Sequence, residues 1–211
     1  MSTPTDSPAE WERLAAINSV AAIVASQVAD FVRLRKGEIP SWLSTLGVPS
    51  GWRIAQYPVR SSEFFELDAP SRVAVATPQT RQIPGYGCET ITVFAFTGSP
   101  VLQDVYDYAA CSLEDLGAAG VVVSPLRVPA IASAIAVRCS GYIVADNVEM
   151  WAQYSNYIVS SDKLNWSRLV QHCLFIRSAE QFSFAADIVD LSDAAYRAFF
   201  AAAQSKVHWT G

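Results

Sequence analysis

The chain has 211 residues, of which 51% are hydrophobic and 17% are charged. This length and composition suffice for one large hydrophobic core and exclude the disordered and collagen-like classes. The formal net charge of -5 and the isoelectric point near 5.0 provide no basic field for a phosphate backbone. We therefore expect no nucleic-acid partner.

The first nine residues are polar and contain prolines, which predicts a loose tail. They lack the basic start and apolar run of a secretory signal, so we expect a cytoplasmic protein or one exported without a cleavable N-terminal signal. The apolar stretch from Leu14 to Val32 is interrupted by Asn18, Gln27 and Asp30. These polar side chains argue against a transmembrane segment.

An N-terminal helix is predicted from Trp11 to Arg35, because apolar residues recur every three or four positions and Gly37 follows a basic end. We expect residues 1–38 to form a tail and a helical arm, and residues 39–211 to form the main domain. The arm either packs on its own domain or docks on another chain. Its predicted assembly face consists of Trp11, Leu14, Ile17, Val24, Val28 and Phe31.

Beyond this arm, short runs rich in β-branched and aromatic residues alternate with turn residues. The predicted strands are Gly51–Tyr57, Arg72–Thr77, Thr90–Thr97, Ile135–Ala145, Trp151–Val159, Leu169–Arg177 and Phe182–Val189. One helix is predicted after Ser99-Pro100 as far as Gly117, and another from Ser192. The strand that starts at Leu169 is apolar on both faces, so we expect it inside the sheet. The sequence thus predicts an α/β (α+β) sandwich, in which an antiparallel β-sheet meander is flanked by helices and an N-terminal helix is added.

From Gly51 to about Ala203, this order resembles the Mog1/PsbP-like fold and, within it, the actinobacterial lipoprotein LpqN-type family. The features that carry the resemblance are Gly51-Trp52, the aromatic strand Thr90–Thr97 before Ser99-Pro100, the segment Gly120-Val121-Val122-Val123 and the run Phe182–Val189. Proteins with this sandwich commonly act as accessories to larger assemblies. The resemblance therefore implies a binding role.

Few residues suit a catalytic centre, since the chain has two histidines and four cysteines. His172 alternates with apolar residues, which favours a core imidazole, and Cys173 should point to the opposite face of the sheet. The cysteines lack Cys-x-x-Cys spacing and are predicted to be buried thiols, with two disulfides as the alternative. Asp187, Asp190 and Asp193 are predicted to cap a helix, with a hard cation as the alternative. We expect no metal and no cofactor.

Aromatic residues in one predicted strand and its neighbouring loops cannot all face inward, and an exposed set would anchor a partner. This candidate partner surface consists of Trp151, Tyr154, Tyr157, Tyr142 and Trp166. We therefore expect a non-catalytic binding or assembly module, an accessory protein that contacts a protein partner, a larger assembly or a second copy.

Two other classes of function remain as alternatives. One is a carrier of a small apolar ligand, which needs a cavity between sheet and helices. The other, less favoured, is an enzyme that uses isolated residues such as Cys139, Arg138 or His172. An exposed apolar patch would favour the module, whereas a polar cleft with perturbed titrating groups would favour the enzyme.

Overall fold

The runs of β-branched and aromatic residues form strands, and these pair into one sheet. The computed structural model describes residues 19–35, 37–55, 70–78, 86–130, 133–145, 147–160 and 167–205. Within these residues, eight strands form the sheet and every pairing is antiparallel. Helices pack on both faces, which confirms the predicted α/β sandwich.

The strands are β1 (Ala29–Arg33), β2 (Trp52–Ile54), β3 (Arg72–Ala76), β4 (Gly87–Thr97), β5 (Ala119–Pro125), β6 (Ala134–Ala145), β7 (Val148–Val159) and β8 (Ser167–Arg177). The helices are α1 (Val20–Gln27), α2 (Ser41–Ser44), α3 (Leu102–Asp107), α4 (Cys111–Asp115) and α5 (Ala185–Ser205), and a 3₁₀ segment occupies Ser178–Phe184. The strand order is β2-β3-β4-β8-β7-β6-β5, and β1 also pairs with β4. No helix among the described residues has both the length and the apolarity to cross a membrane.

The strand β8 is internal, as predicted, because it pairs with β4 on one side and with β7 on the other. Val170 and its even-numbered neighbours pack under α5, against residues such as Phe199. We call this side the α5 face. Leu169 lies on the other side, which we call the α3 face, and packs against Val24 of α1 and Val105 of α3.

The predicted N-terminal helix is wrong beyond Gln27, and its first residues, 11–18, lie outside the described residues. The helix α1 ends at Gln27, and the next residues form β1, which pairs with residues 94–97 of β4. Phe31 stacks on Phe94 with ring centroids 4.8 Å apart. Pairing with β4 provides partners for backbone groups and buries aromatic surface, and these gains outweigh local helix preference.

The described part of the arm packs on its own chain. Val20 and Val24 of α1 are buried in the same cluster as Phe96. Val28 and Phe31 of the predicted assembly face also pack against this cluster. Trp11, Leu14 and Ile17 lie outside the described residues. The described part therefore belongs to the core of the sandwich.

The predicted strand Phe182–Val189 is also wrong, and so is the predicted start of the last helix. The chain forms the 3₁₀ segment and then α5 from Ala185. Phe184, Ile188 and Leu191 recur at helical spacing and pack in one cluster. A period of three to four residues is typical of a helix, so this segment buries its apolar residues on one helical face and not as a strand.

Smaller differences concern the first strand and the middle helix. The strand predicted at the start of the sheet is limited to Trp52–Ile54, and Gln56 and Tyr57 lie outside the described residues. The predicted middle helix is two short helices, and Val101 takes the N-cap position instead of Ser99. Gly117 follows them with a φ of 71°, a conformation that suits glycine.

Candidate functional site

The aromatic residues predicted as a partner surface do not form one surface. Trp151 and Tyr157 are buried on the α5 face. Tyr154 points to the α3 face, where its ring packs edge-on against Phe175 with centroids 5.7 Å apart. Trp166 lies outside the described residues. The prediction failed because successive strand residues alternate between two faces and both faces are covered here.

The structure does bring Tyr142 and Trp151 together beside a cleft of about 370 Å³. The cleft is lined by Trp151, Gln181, Phe182, Ala185 and Ile188, and we call it the aromatic cleft. The Tyr142 hydroxyl donates a hydrogen bond to Oε1 of Gln181 at 2.9 Å, which ties β6 to the 3₁₀ segment. Two members of the predicted aromatic set therefore border one concave site.

The most exposed residue of this site, Phe182, was absent from the predicted aromatic set. Its side chain is 95% exposed, although Phe184 is buried two residues later. Phe184 packs edge-on against Trp52, with centroids 5.9 Å apart, and so anchors the 3₁₀ segment to the sheet. Helical spacing of Phe184 with Ile188 was the signal that could have placed Phe182 on the outside of this turn.

An apolar corner of the α5 face continues from the cleft. Val122 of β5, Tyr142 and Val144 of β6 all project from this face, and they are exposed. Val144 is 69% exposed and Tyr142 is 36% exposed. We call these three residues the exposed corner. Together with Phe182, they form an apolar surface of the kind that marks interaction sites.

A row of charged and polar side chains crosses the α5 face in the core. Glu89 lies between Arg72 and His172, at 3.2 Å from Nη2 of Arg72 and 3.1 Å from Nε2 of His172. Arg72 also donates hydrogen bonds to the carbonyl oxygens of Leu46 and Gly47, at 2.7 and 3.2 Å. Through Arg72, these contacts connect the loop after α2 with Glu89 in the middle of the sheet.

The same row continues toward α5 through Arg138 and neutral polar side chains. Nε of Arg138 donates to the Ser155 hydroxyl at 3.0 Å, and Nε2 of Gln153 donates to the Ser192 hydroxyl of α5 at 2.7 Å. Burial raises the pKa of Tyr157, and the positive charge of Arg138 opposes this shift. These contacts hold α5 on the sheet, and they place Arg138 under the helix.

His172 has the core position that its spacing predicted. Its side chain is fully buried, and Nε2 faces Glu89. Within the described residues, Nδ1 has no hydrogen-bond partner. Cys173 points to the opposite face, so the two residues form no dyad.

The four cysteines are free thiols. Cys111 and Cys139 are buried as predicted, whereas Cys88 and Cys173 are half-buried. The Cys139 thiol donates to the carbonyl of Ala109 at 3.0 Å, and burial raises its pKa to about 12. The described part of the chain has no cluster of three His, Cys, Asp or Glu side chains suited to a metal ion. Asp187 instead accepts a hydrogen bond from Nε1 of Trp52 at 2.9 Å.

A second groove, of about 280 Å³, lies between α3 and the chain that follows β5. Its lining is largely apolar and consists of Leu102, Gln103, Tyr106, Pro125, Leu126, Val128, Ala134, Ile135 and Ala136. Like the aromatic cleft, it opens to the surface. The carrier alternative stays a prediction, with this groove as its candidate ligand site.

Comparisons with known proteins identify the fold. No family model matches the chain, and no curated protein matches it. A solved structure that it resembles is the crystal structure of LpqN, described as involved in cell envelope biogenesis of Mycobacterium tuberculosis. The likeness covers 92% of this chain and 94% of LpqN, with a TM-score of 0.54 and 15% sequence identity. The chain therefore has an LpqN-like fold.

Proposed function

We propose that the chain is a non-catalytic binding module that holds a protein partner at the aromatic cleft and the exposed corner. The observation that carries this proposal is the side chain of Phe182, which is 95% exposed at the rim of a concave apolar site. Aromatic anchors beside such clefts contribute a large share of the energy in protein interfaces.

The state of the candidate catalytic groups supports a non-catalytic role. His172 is enclosed in the core, and the Cys139 thiol has a pKa raised to about 12, so it carries its proton at neutral pH. A protonated, buried thiol is a poor nucleophile. Arg138 bonds to Ser155 beneath α5. None of these three groups lines the aromatic cleft.

More specifically, we propose that the chain has an accessory role in a larger assembly. LpqN is described as involved in cell envelope biogenesis, and the likeness of fold is in keeping with an accessory role here. Membership of the wider Mog1/PsbP-like class and an actinobacterial origin stay predictions. The choice between the cytoplasm and export without a cleavable signal also stays a prediction.

Site-specific photocrosslinking in the native cells tests the proposal. Benzoyl-phenylalanine at position 182 should give one adduct of defined mass, and Tyr142→Ala in the same chain should weaken it. The matched control is benzoyl-phenylalanine at Tyr108, another exposed aromatic residue, which follows α3 on the opposite side of the sheet. The proposal fails if position 182 gives no adduct, or if both positions give the same adducts.

A further inference from the structure

The strand β5 is an open edge of the sheet. Within the described residues it pairs with β6 alone, and the strand order ends there. Leu126 donates its backbone N–H to the carbonyl of Ala136 at 2.8 Å. Because antiparallel residues alternate, Ser124 also directs its backbone groups toward β6. The N–H and C=O of Val123 therefore point outward, and no hydrogen bond from the described part of the chain reaches them.

The edge of β5 differs from the other described edge strands because it carries no charge. Each of β1 and β2 also pairs with one strand only. The strand β1 contains Asp30 and Arg33, and β2 contains Arg53. The strand β5 has the sequence Ala-Gly-Val-Val-Val-Ser-Pro, which has no ionisable side chain. Charged side chains on an edge hinder pairing with another chain, so β5 is the edge most open to it.

The side chains along this edge are apolar. Val122 is 58% exposed on the α5 face, where it belongs to the exposed corner. On the α3 face, Val123 packs partly against the cluster around Leu113 of α4. A bulge before Val122 and the ring of Pro125 limit the open edge to residues 121–124. A strand that pairs here gains backbone hydrogen bonds at Val123 and apolar contact at Val122.

Going beyond the proposed function, we propose that this edge pairs with β5 of a second copy, antiparallel, about a two-fold axis at Val123. The Val123 N–H of each copy then donates to the Val123 carbonyl of the other, and the two sheets join into one. The two-fold axis of an antiparallel pair is perpendicular to the sheet. Both exposed corners therefore lie on the same side of the joined sheet and form one apolar surface.

The sequence around β5 favours a second copy as the partner. Residues 116–126 contain no charged side chain, so two copies can meet here without local repulsion, although each has a net charge of -5. Asp115 precedes this stretch and Arg127 follows it, and both are exposed. Antiparallel pairing brings the Arg127 end of one copy to the Asp115 end of the other. The edge is thus complementary to itself, as a two-fold interface requires.

Sedimentation velocity of the full chain, from about 1 to 300 μM, tests the inference, because small interfaces associate weakly. We expect a concentration-dependent species with twice the mass of the 22.9 kDa chain. Val123→Pro should weaken dimerisation at least about tenfold, since it removes the outward N–H and leaves the bonds to β6 in place. Val123→Ile keeps this N–H and should dimerise like the original chain. Urea denaturation verifies that both variants fold.

A second pair of variants does not depend on how well β5 tolerates proline. Val122→Lys should also weaken dimerisation at least about tenfold, because it places two like charges close together on neighbouring strands. The matched control is Val32→Lys, at a valine of β1 that is 53% exposed. The inference is overturned if the original chain stays monomeric throughout this range. It is also overturned if the folded β5 variants dimerise like the original chain, or if Val32→Lys weakens the dimer equally.

A strand from another protein would give a different result. If the chain is monomeric and benzoyl-phenylalanine at position 122 crosslinks a different protein in the native cells, the edge holds a foreign strand and the inference is overturned. A monomeric chain that still crosslinks a partner from position 182 overturns this inference and leaves the proposed function standing. A dimeric chain that crosslinks nothing from position 182 supports this inference and contradicts the proposed function.

Discussion

Nε2 of His172 lies 3.1 Å from Oε1 of Glu89, and both side chains are buried between the sheet and α5. The other carboxylate oxygen of Glu89 lies 3.2 Å from Arg72. Glu89 thus balances the buried charge of Arg72 while it accepts a hydrogen bond from the imidazole. This one carboxylate therefore links Arg72 of β3 with His172 of β8.

Glu89→Ala should lower the free energy of unfolding by about 3–5 kcal/mol, because it leaves the buried Arg72 guanidinium without its counter-charge. Urea denaturation monitored by tryptophan fluorescence measures the change. Glu114→Ala, at an exposed site, should stay within about 0.5 kcal/mol of the original chain. Equal free energies of unfolding for the two variants would show that the contacts of Glu89 with Arg72 and His172 do not stabilise the fold.

His172→Ala should destabilise the chain by about 2–4 kcal/mol, since it leaves a cavity under α5 and removes a hydrogen-bond partner from Glu89. Crosslinking from position 182 should be unchanged below the melting transition, because His172 does not line the aromatic cleft. A folded variant that loses the adduct or a defined activity would contradict this structural role.

Gly87→Ala should destabilise the chain by about 1–3 kcal/mol through overpacking. A Cβ atom at this position would lie 2.7 Å from Cη2 of Trp52 and 2.9 Å from the ring of Phe184. At Gly37, where a Cβ atom would meet nothing within 4 Å, the same substitution should be close to neutral. Thermal melts of the two variants give the comparison, and similar melting temperatures would refute the close packing at Gly87.

Stability should fall as the pH rises above about 9, in part because of Cys139. Its pKa is raised from 9.0 in the unfolded chain to about 12 in the folded chain. Between these values the unfolded state loses the proton and the folded state keeps it, so rising pH favours unfolding, by about 2 kcal/mol near pH 10.5. Urea midpoints measured from pH 7.5 to 10.5 should fall less steeply for Cys139→Ala. If the urea midpoints of the two chains fall equally with pH, ionisation of Cys139 does not contribute to the loss of stability.

Deletion of residues 1–38 should unfold or strongly destabilise the chain, because it removes α1 and β1 from the core. Val24 and Phe31 pack against Phe94 and Phe96, and backbone pairing of β1 with β4 would be lost. Circular dichroism and urea denaturation of the truncated chain test this. A truncated chain of unchanged stability that loses only its partner would restore the assembly role predicted for the arm.

The local pattern was sufficient to predict most of the sheet. The strands β3, β4, β6, β7 and β8 lie within a few residues of their predicted bounds, because alternating β-branched and aromatic residues suit a pleated surface. The internal place of β8 followed from apolar residues on both of its faces. The burial of His172 followed from the same alternation.

The sequence by itself therefore determined the strand content, the layered class and the core position of His172, since these depend on the period of apolar residues along the chain. Only the tertiary structure decided that residues 29–33 join β4, that Trp151 and Tyr157 are covered, and that Phe182 is left outside. Each of these outcomes depends on which distant element supplies a backbone partner or covers a face. The local spacing of residues carries no information about such distant contacts. The residues of the candidate site could therefore be identified only in the folded structure.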